Sequence, residues 1–359
     1  MTNRAKKEDL YGQFDPVVDA VLKALPSKDL PAKLKKGAEQ PNSRTAEQGS
    51  HGLRTFIDLF CGIGGFHTAG KNIGLECVFA SDIDEHARQA YHHNYGLYPK
   101  GDIHGINAKT IPDHDLLCAG FPCQPFSIIG SRKGFSDPRG DLFFEIIRIA
   151  KEKRPRAIML ENVKQLATIN KGETMRSIEL ALEEIGYNVE YRILNALHYG
   201  LPQKRERVLI IATREDIGEF PWPKGDAPMK PLSEILEANP DPKHFVSGRI
   251  KRARNEAHKS KHPIAIWHEN KSGNISSYPY SCALRAGASY NYLLINGERR
   301  LTPREMLRLQ GFPDNFEIVC SDTQTRKQAG NAVPVPMIQA VMEQLVNVHA
   351  RTEIKRQQA

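Results

Sequence analysis

The chain has 359 residues, 40% of them hydrophobic and 26% charged, which supplies ample apolar material for a buried core and excludes disorder as the dominant state. Lysine and arginine number 50 against 42 aspartates and glutamates, a net charge of +8 that favours polyanionic partners without choosing among them. The length allows one large domain with a smaller one, or two of similar size.

Six cysteines, Cys61, Cys77, Cys118, Cys123, Cys282 and Cys320, show no C-x-x-C spacing, so neither a zinc ribbon nor a disulfide scaffold is expected, and a reducing cytoplasm fits best. The first residues, MTNRAKKEDL, lack the apolar stretch of a signal peptide, and no window approaches the roughly 18 apolar residues of a membrane span. Secretion and membrane insertion are not expected.

In chain order, residues 1–50 mix short apolar stretches with the polar run QPNSRTAEQGS, and read as an extension and linker without a chemical motif. From residue 51 to 215 short apolar runs (RTFIDLF, LECVFASD, DLLCAG, RAIMLEN, YRILNAL, ERVLIIAT) alternate with helical stretches such as DLFFEIIRIAKEK and MRSIELALEEIG. That alternation predicts an α/β fold, a doubly wound parallel sheet with helices on both faces. Between 216 and 298 it gives way to proline, glycine and polar residues, which reads as a smaller, loop-rich domain. From 299 to 359 the helical pattern returns in TPREMLRLQGF and VPMIQAVMEQLVNVHA, so the C-terminal segment is expected to rejoin the first domain. Within the small domain, residues 243–262 hold Lys243, Arg249, Lys251, Arg252, Arg254, Lys259 and Lys261 against one acid, Glu256. The stretch reads either as a solvated charged face or as a surface whose cations meet phosphates.

Four motifs lie at the ends of predicted strands. TFIDLFCGIGGF runs a strand into a turn with Gly62, Gly64 and Gly65, where the backbone can approach a ligand and the next helix offers unpaired N–H groups. The dinucleotide fingerprint G-x-G-x-x-G needs glycine where His67 stands, which disfavours a pyrophosphate cofactor. Asp82, 20 residues after Gly62, is placed for ribose hydroxyls, although a plain turn and a surface aspartate explain both features equally well. DLLCAGFPCQPFS puts Cys123 past the carboxyl end of a strand, either as a nucleophile or as an inert small hydrophobe. RAIMLENV ends in Glu161, a helix cap, an ion-pair partner or a catalytic carboxylate. In PQKRERVLIIA, Arg205 and Arg207 stand at i and i+2 and can grip a carboxylate or phosphate together, or form structural ion pairs.

The order and wording of FIDLFCGIGGF, FPCQPFS, ENV, QKRERV, RRLTPREMLRLQGFPD and GNAVPVPM resemble the bacterial DNA (cytosine-5) methyltransferases over residues 53 to about 346, with 216–298 matching only in place and character. The resemblance implies a Rossmann-like catalytic domain that binds S-adenosyl-L-methionine, and a target-recognition domain at 216–298 facing double-stranded DNA. It places Phe60, Gly62 and Gly64 around the cofactor, Asp82 on its ribose and Ile83 against its adenine. It also places Asp102 and Ile103 at the adenine amino edge, Leu142 on the adenine wall, and Asn331 and Val333 at the methionine end. Gln124 and Ser127 fall near the DNA in a loop, 124–140, that closes over the base with Gly130, Gly134 and Gly140 as hinges. Arg249, Arg252, Arg254, Arg285 and Tyr290 are the candidates for phosphate or base contact, with ALRAGASYNY the base-reading segment.

By the same resemblance Cys123 is the nucleophile that adds to carbon 6 of cytosine, Glu161 shares a proton with ring nitrogen 3, and Arg207 holds the base carbonyl with Arg205 supporting it. No metal is required. A base inside a duplex is out of reach of these groups and must be flipped out. The resemblance further implies a monomer in the bacterial cytoplasm, associated with the nucleoid, that belongs to a restriction-modification system with no stable complex to its endonuclease. Three other readings carry less: a transfer-RNA methyltransferase sharing the P-C-Q cysteine, a catalytically silent DNA-binding module, and a nicotinamide-dependent oxidoreductase, which His67 disfavours.

Overall fold

All six apolar runs become strands of one sheet. The computed structural model describes residues 52–122, 141–289 and 291–358. The first half comprises β1 (Thr55–Leu59), α1 (Gly65–Asn72), β2 (Glu76–Ser81), α2 (Glu85–Tyr95), β3 (Leu116–Gly120), α3 (Asp141–Lys153), β4 (Ala157–Val163), α4 (Glu173–Glu184), β5 (Asn188–Asn195), β6 (Gln203–Lys204) and β7 (Glu206–Thr213). The sheet order is β2-β1-β3-β4-β7-β5. Strands β2, β1, β3 and β4 pair in parallel, whereas β7 is antiparallel to both β4 and β5. The expectation of a parallel sheet therefore fails at β7. The connection from β5 to β7 is too short to hold a crossover helix, so the chain can only return alongside β5 in the opposite direction.

Successive residues of the central strands serve opposite faces. Phe56, Cys118 and Met159 join one apolar cluster with α1 and the C-terminal helices, while Ile57, Leu117 and Ile158 join the other with Ile146 of α3 and Ile178 of α4. Strands clothed on both sides read as unbroken apolar runs, which is why this half of the fold is legible from sequence. The chain passes from β1 to β2 on one side and from β2 to β3 on the other, so the order reverses between β1 and β3. Open α/β sheets hold their ligands at such a reversal, beyond the carboxyl ends of the strands.

The second half comprises α5 (Gly248–Ala257), β8 (Ile266–Glu269), β9 (Ile275–Tyr278), β10 (Ser281–Cys282), β11 (Leu293–Ile295), α6 (Pro303–Gln310), α7 (Asp322–Asn331) and α8 (Val335–Gln358). Strands β11, β8 and β9 form an antiparallel sheet, a regular element inside the stretch that reads as loop. Strand β9 shows no alternation of buried and exposed residues, which hides it from period-2 reasoning. Strand β10 pairs with β6 in a separate two-stranded sheet and so ties this region to the segment that leads into β7. Helix α6 opens with a capping box, in which Thr302 accepts the Glu305 N–H and the Glu305 carboxylate accepts the Thr302 N–H. Helix α8 packs on α1, which returns the C-terminal segment to the first half.

The far end of α8 is fastened by charge. Glu215, just after β7, lies 3.6 Å from His349, 3.2 Å from Arg156 and 3.4 Å from Arg356. His349 first, and Arg156 with it, hold the Glu215 carboxyl down at about 2. A carboxyl depressed by folding stabilises the fold above its ordinary pKa and loses that contribution as the pH falls through its folded value. The Glu215→Gln variant should melt earlier than wild type above pH 5, with the difference closing between about pH 4.5 and 2. Thermal melts across that range check it.

Candidate active site

The glycine turn after β1 is strained in a way that fixes its residue types. Phe60, Gly62 and Gly64 have φ of +56°, +53° and +84°, a left-handed region that side chains rarely adopt. A Cβ on Gly64 would lie 2.3 Å from the Tyr95 ring, and one on Gly65 would lie 2.5 Å from Val333. At Gly62 the same position is open space. The Tyr95 hydroxyl supports the turn at 3.0 Å from the Gly64 carbonyl and 2.7 Å from the Thr68 hydroxyl. His67 stacks on Tyr95 with ring centroids 4.0 Å apart, and burial pulls its imidazole down to about 4. Below the turn Asp58 is fully buried, and burial pushes its carboxyl well up.

Asp82, at the end of β2, accepts the Gly62 N–H at 2.8 Å on one carboxylate oxygen and the Asp84 N–H at 2.8 Å on the other. Burial is the main influence on its carboxyl and raises it. Asp84 caps α2 and pairs with Lys327 of α7 at 2.7 Å, a link across the cleft that sequence reading misses because the partners are far apart in the chain. At the end of β3, Asn162 donates to the Phe121 carbonyl at 2.8 Å, which fixes the backbone just ahead of Cys123.

Glu161, in β4 and 8% exposed, forms an ion pair with Arg207, its carboxylate 2.7 Å from Arg207 Nε, while Arg207 Nη1 donates to the Glu206 carbonyl at 2.8 Å. Pairing of β4 with the antiparallel β7 brings the two side chains together, since Val163 stands opposite Arg207. Arg205 does not share that grip. It is buried, and its guanidinium donates to the carbonyls of Leu284 (3.0 Å), Gly330 (3.1 Å) and Ala332 (2.8 Å). Burial first, and then Arg207, pull the Arg205 guanidinium down to about 9. The reading of two arginines holding one anion is thereby corrected: Arg205 spends its donors on the backbone.

A single cleft of about 510 Å³ collects these groups beyond the strand ends. Phe60, Gly62 and Asp82 line one end, Asn331 and Val333 close it from the C-terminal segment, and Pro122, Glu161, Arg205 and Arg207 line the other. Gly64 sits behind the wall against Tyr95 rather than in it. Leu142 and the buried Ile103 join Phe60 in one apolar cluster. Ile83 is 75% exposed. Asp102 caps the turn 103–105 and accepts from His104 at 2.6 Å, and His104 holds its carboxyl below the usual range. Cys123, Gln124, Ser127, Gly130, Gly134, Gly140 and Tyr290 lie outside the described residues. Among the described residues no group of three or more histidine, cysteine, aspartate or glutamate side chains could hold a metal ion. No described helix is long and apolar enough to cross a membrane.

The basic stretch divides when folded. Lys243 pairs with Asp322 at 3.0 Å, Lys251 pairs with Glu298 at 2.7 Å, and Arg254 is buried against Glu269 and the Asn291 carbonyl. Arg254 as a DNA-contacting side chain is therefore corrected, since its guanidinium is turned into the protein. Arg249, Arg252, Lys259 and Lys261 are exposed.

A strand-reversal cleft with a glycine turn at one end and a buried carboxylate–guanidinium pair at the other is the arrangement of an α/β enzyme that holds its ligands beyond the strand ends. The sequence model of the C-5 cytosine-specific DNA methylases matches residues 54–347, and the chain belongs to that family. It is 53% identical over 287 residues to the Type II methyltransferase M.NgoBI of Neisseria gonorrhoeae, covering 79% of this chain and 90% of that protein. It is 50% identical over 295 residues to the Type II methyltransferase M.HaeII of Haemophilus aegyptius, covering 81% and 92%. Among solved structures, the S. pombe Dnmt2 methyltransferase superposes with a TM-score of 0.64 at 23% identity over 82% of this chain and 98% of that one, a likeness of fold.

The split of the basic stretch predicts unequal salt effects. Replacing Arg249 and Arg252 together by alanine should lower the slope of log affinity for duplex DNA against log salt by up to about 2, one unit for each phosphate that no longer meets a cation. Arg254→Ala should leave the slope unchanged and lower the melting temperature, because it strands Glu269. Titrations of labelled duplex at several salt concentrations, with melts of each variant, check both.

Proposed function

We propose that this chain is the modification enzyme of a restriction-modification system, a monomer that methylates carbon 5 of one cytosine within a specific sequence of double-stranded DNA. The observation that carries this reading is the 2.7 Å Glu161–Arg207 pair in the same cleft as Pro122 and the glycine turn. S-adenosyl-L-methionine suits the other end: Gly62 faces open space where a side chain would intrude, Asp82 sets a half-buried carboxylate beside it, and Phe60 and Leu142 offer apolar surface. When bound, that cofactor supplies the electrophilic methyl group.

Carbon 5 of cytosine is too weak a nucleophile to take a methyl group directly. The Cys123 thiolate adds to carbon 6, which places electron density on carbon 5 and negative charge on the ring. Glu161 relieves that charge by sharing a proton with ring nitrogen 3 and faces the exocyclic amine. Arg207 pairs with Glu161 by charge at Nε and donates from Nη1 to the Glu206 carbonyl, which leaves Nη2 for the base carbonyl. After transfer the carbon-5 proton leaves to a base and the thiolate departs, restoring both the ring and the enzyme.

The target base must leave the duplex to reach these groups, at a cost of a few kcal/mol that backbone contacts offset. Residues 216–298 serve as the target-recognition domain, with Arg249 and Arg252 on phosphates and Arg285 and Tyr290 toward bases. Gln124 and Ser127 act from the loop that closes over the base. Residues 51–215 and 299–359 form the catalytic domain, and 1–50 precede it. The enzyme works in the cytoplasm at the nucleoid, and its endonuclease recognises the same sequence without forming a stable complex with it.

Labelled cofactor should transfer methyl groups to duplex DNA and not to transfer RNA, and transfer to RNA alone would sink this reading. Cys123→Ala should abolish transfer while cofactor binding persists. Glu161→Gln should keep cofactor affinity and lower turnover by about 10²-fold or more. Duplexes carrying 5-fluorocytosine should trap a covalent adduct with the wild-type enzyme, because that position has no proton to lose.

A further inference from the structure

The segment joining β10 to β11 carries Arg285, and it is held from both ends. At its root the Leu284 N–H donates to Gln203 Oε1 at 3.0 Å while the Leu284 carbonyl accepts from Arg205 at 3.0 Å. At its far end Asn291 accepts from Arg300 Nε at 2.9 Å on its side chain and from Arg254 at 3.3 Å on its carbonyl. Between these anchors the restraint comes from the catalytic side. Arg326 of α7 donates through Nη2 to the carbonyls of Ala288 (2.8 Å) and Ser289 (2.6 Å). Its guanidinium lies 5.6 Å from the centre of the Tyr292 ring, on which Arg285 also rests at 4.8 Å. The Tyr292 hydroxyl accepts the Arg285 N–H at 3.1 Å. Gly330 of the same helix brings α7 up against the segment, since a Cβ there would lie 2.4 Å from the Ala286 nitrogen.

We propose that Arg326 is a specificity-determining positioning residue: it fixes the conformation in which the 285–292 loop presents Arg285 to the duplex. The inference rests on the reading of that loop as base-facing. A base edge is discriminated only by groups held within about half an ångström of their working geometry. Loop segments hold such positions poorly unless their carbonyls are tied to a rigid element, and α7 is that element. A cavity of about 230 Å³ lies behind the loop, lined in part by Leu284, Tyr292, Met306 and Arg326, so the loop has room to shift once the two carbonyls are released. Selection of the DNA sequence then depends on a side chain outside the recognition segment itself.

The test is the spectrum of methylated sites. Wild type, Arg326→Met, Arg326→Lys and Arg285→Ala are each produced in a host lacking other cytosine methylation, and plasmid DNA is sequenced for 5-methylcytosine. Arg326→Met should methylate sites differing from the wild-type sequence at one base, with selectivity lowered about tenfold. Arg326→Lys should fall between it and wild type, and all variants should bind S-adenosylhomocysteine within about twofold of wild type. If Arg285→Ala broadens the spectrum and Arg326→Met does not, the inference fails while the reading of the loop stands. If neither does, the reading of the loop fails and the inference with it. An Arg326→Met protein that is folded and binds S-adenosylhomocysteine but methylates nothing would also overturn the proposal, as a catalytic defect. Should Arg326→Met fail to fold, Gly330→Ala displaces the loop from the same helix, and an unchanged spectrum there overturns the proposal.

Discussion

A buried arginine held by backbone carbonyls dictates how this molecule is assembled. Moving a guanidinium out of water costs several kcal/mol unless its donors are satisfied, and Arg205 answers with three backbone carbonyls from two distant segments. Leu284 belongs to the root of a loop in the small region, while Gly330 and Ala332 lie at the end of α7, where the chain closes the cleft. With its pKa brought only to about 9 by burial, Arg205 stays charged at neutral pH and needs all three carbonyls. The cation therefore acts as a peg, and the small region, the C-terminal segment and the large sheet meet around it. Gln203, two residues earlier and also buried, works alongside by holding Leu284 and the Leu309 carbonyl.

Around that peg the cleft gets its character from strand direction. The turn after β1, the end of β2 and the backbone following β3 open on one edge because those strands are parallel. The antiparallel β7 then runs past β4 and places Arg207 against Glu161. Had β7 been parallel, its arginine would have entered from the opposite edge. The departure from a fully parallel sheet is thus what completes the charged end of the site. At the other end glycine is required by crowding from behind, with Tyr95 against Gly64 and Val333 against Gly65, and by the left-handed backbone at Gly62.

The surface charges follow a different rule. The run from Lys243 to Lys261 reads as one basic patch, yet folding places Lys243 and Lys251 in ion pairs with acids remote in sequence, Asp322 and Glu298, and turns Arg254 inward. Helix α5 presents Arg249 and Arg252 outward, while Arg254 falls on its buried side. A count of charges sums over all these environments; only the helix phase and the neighbours separate cations that can release counterions from those that already have partners.

Read alone, the amino-acid order specifies the sheet, its clothing on both faces, the glycine turn, and the residue types Glu161, Arg205 and Arg207 at strand ends, because doubly buried strands and forced backbone conformations leave local signatures. It also carries the family, through motifs whose order is itself information. That Arg205 and Arg207 do different work, that Asp84 meets Lys327, that Arg254 is a support and that Arg326 grips the loop carrying Arg285 emerge only once the chain is folded. Those are contacts between residues tens to hundreds of positions apart, and most run from a side chain to a backbone carbonyl. A carbonyl is present at every position, so no residue type marks which one will be used until the elements have packed.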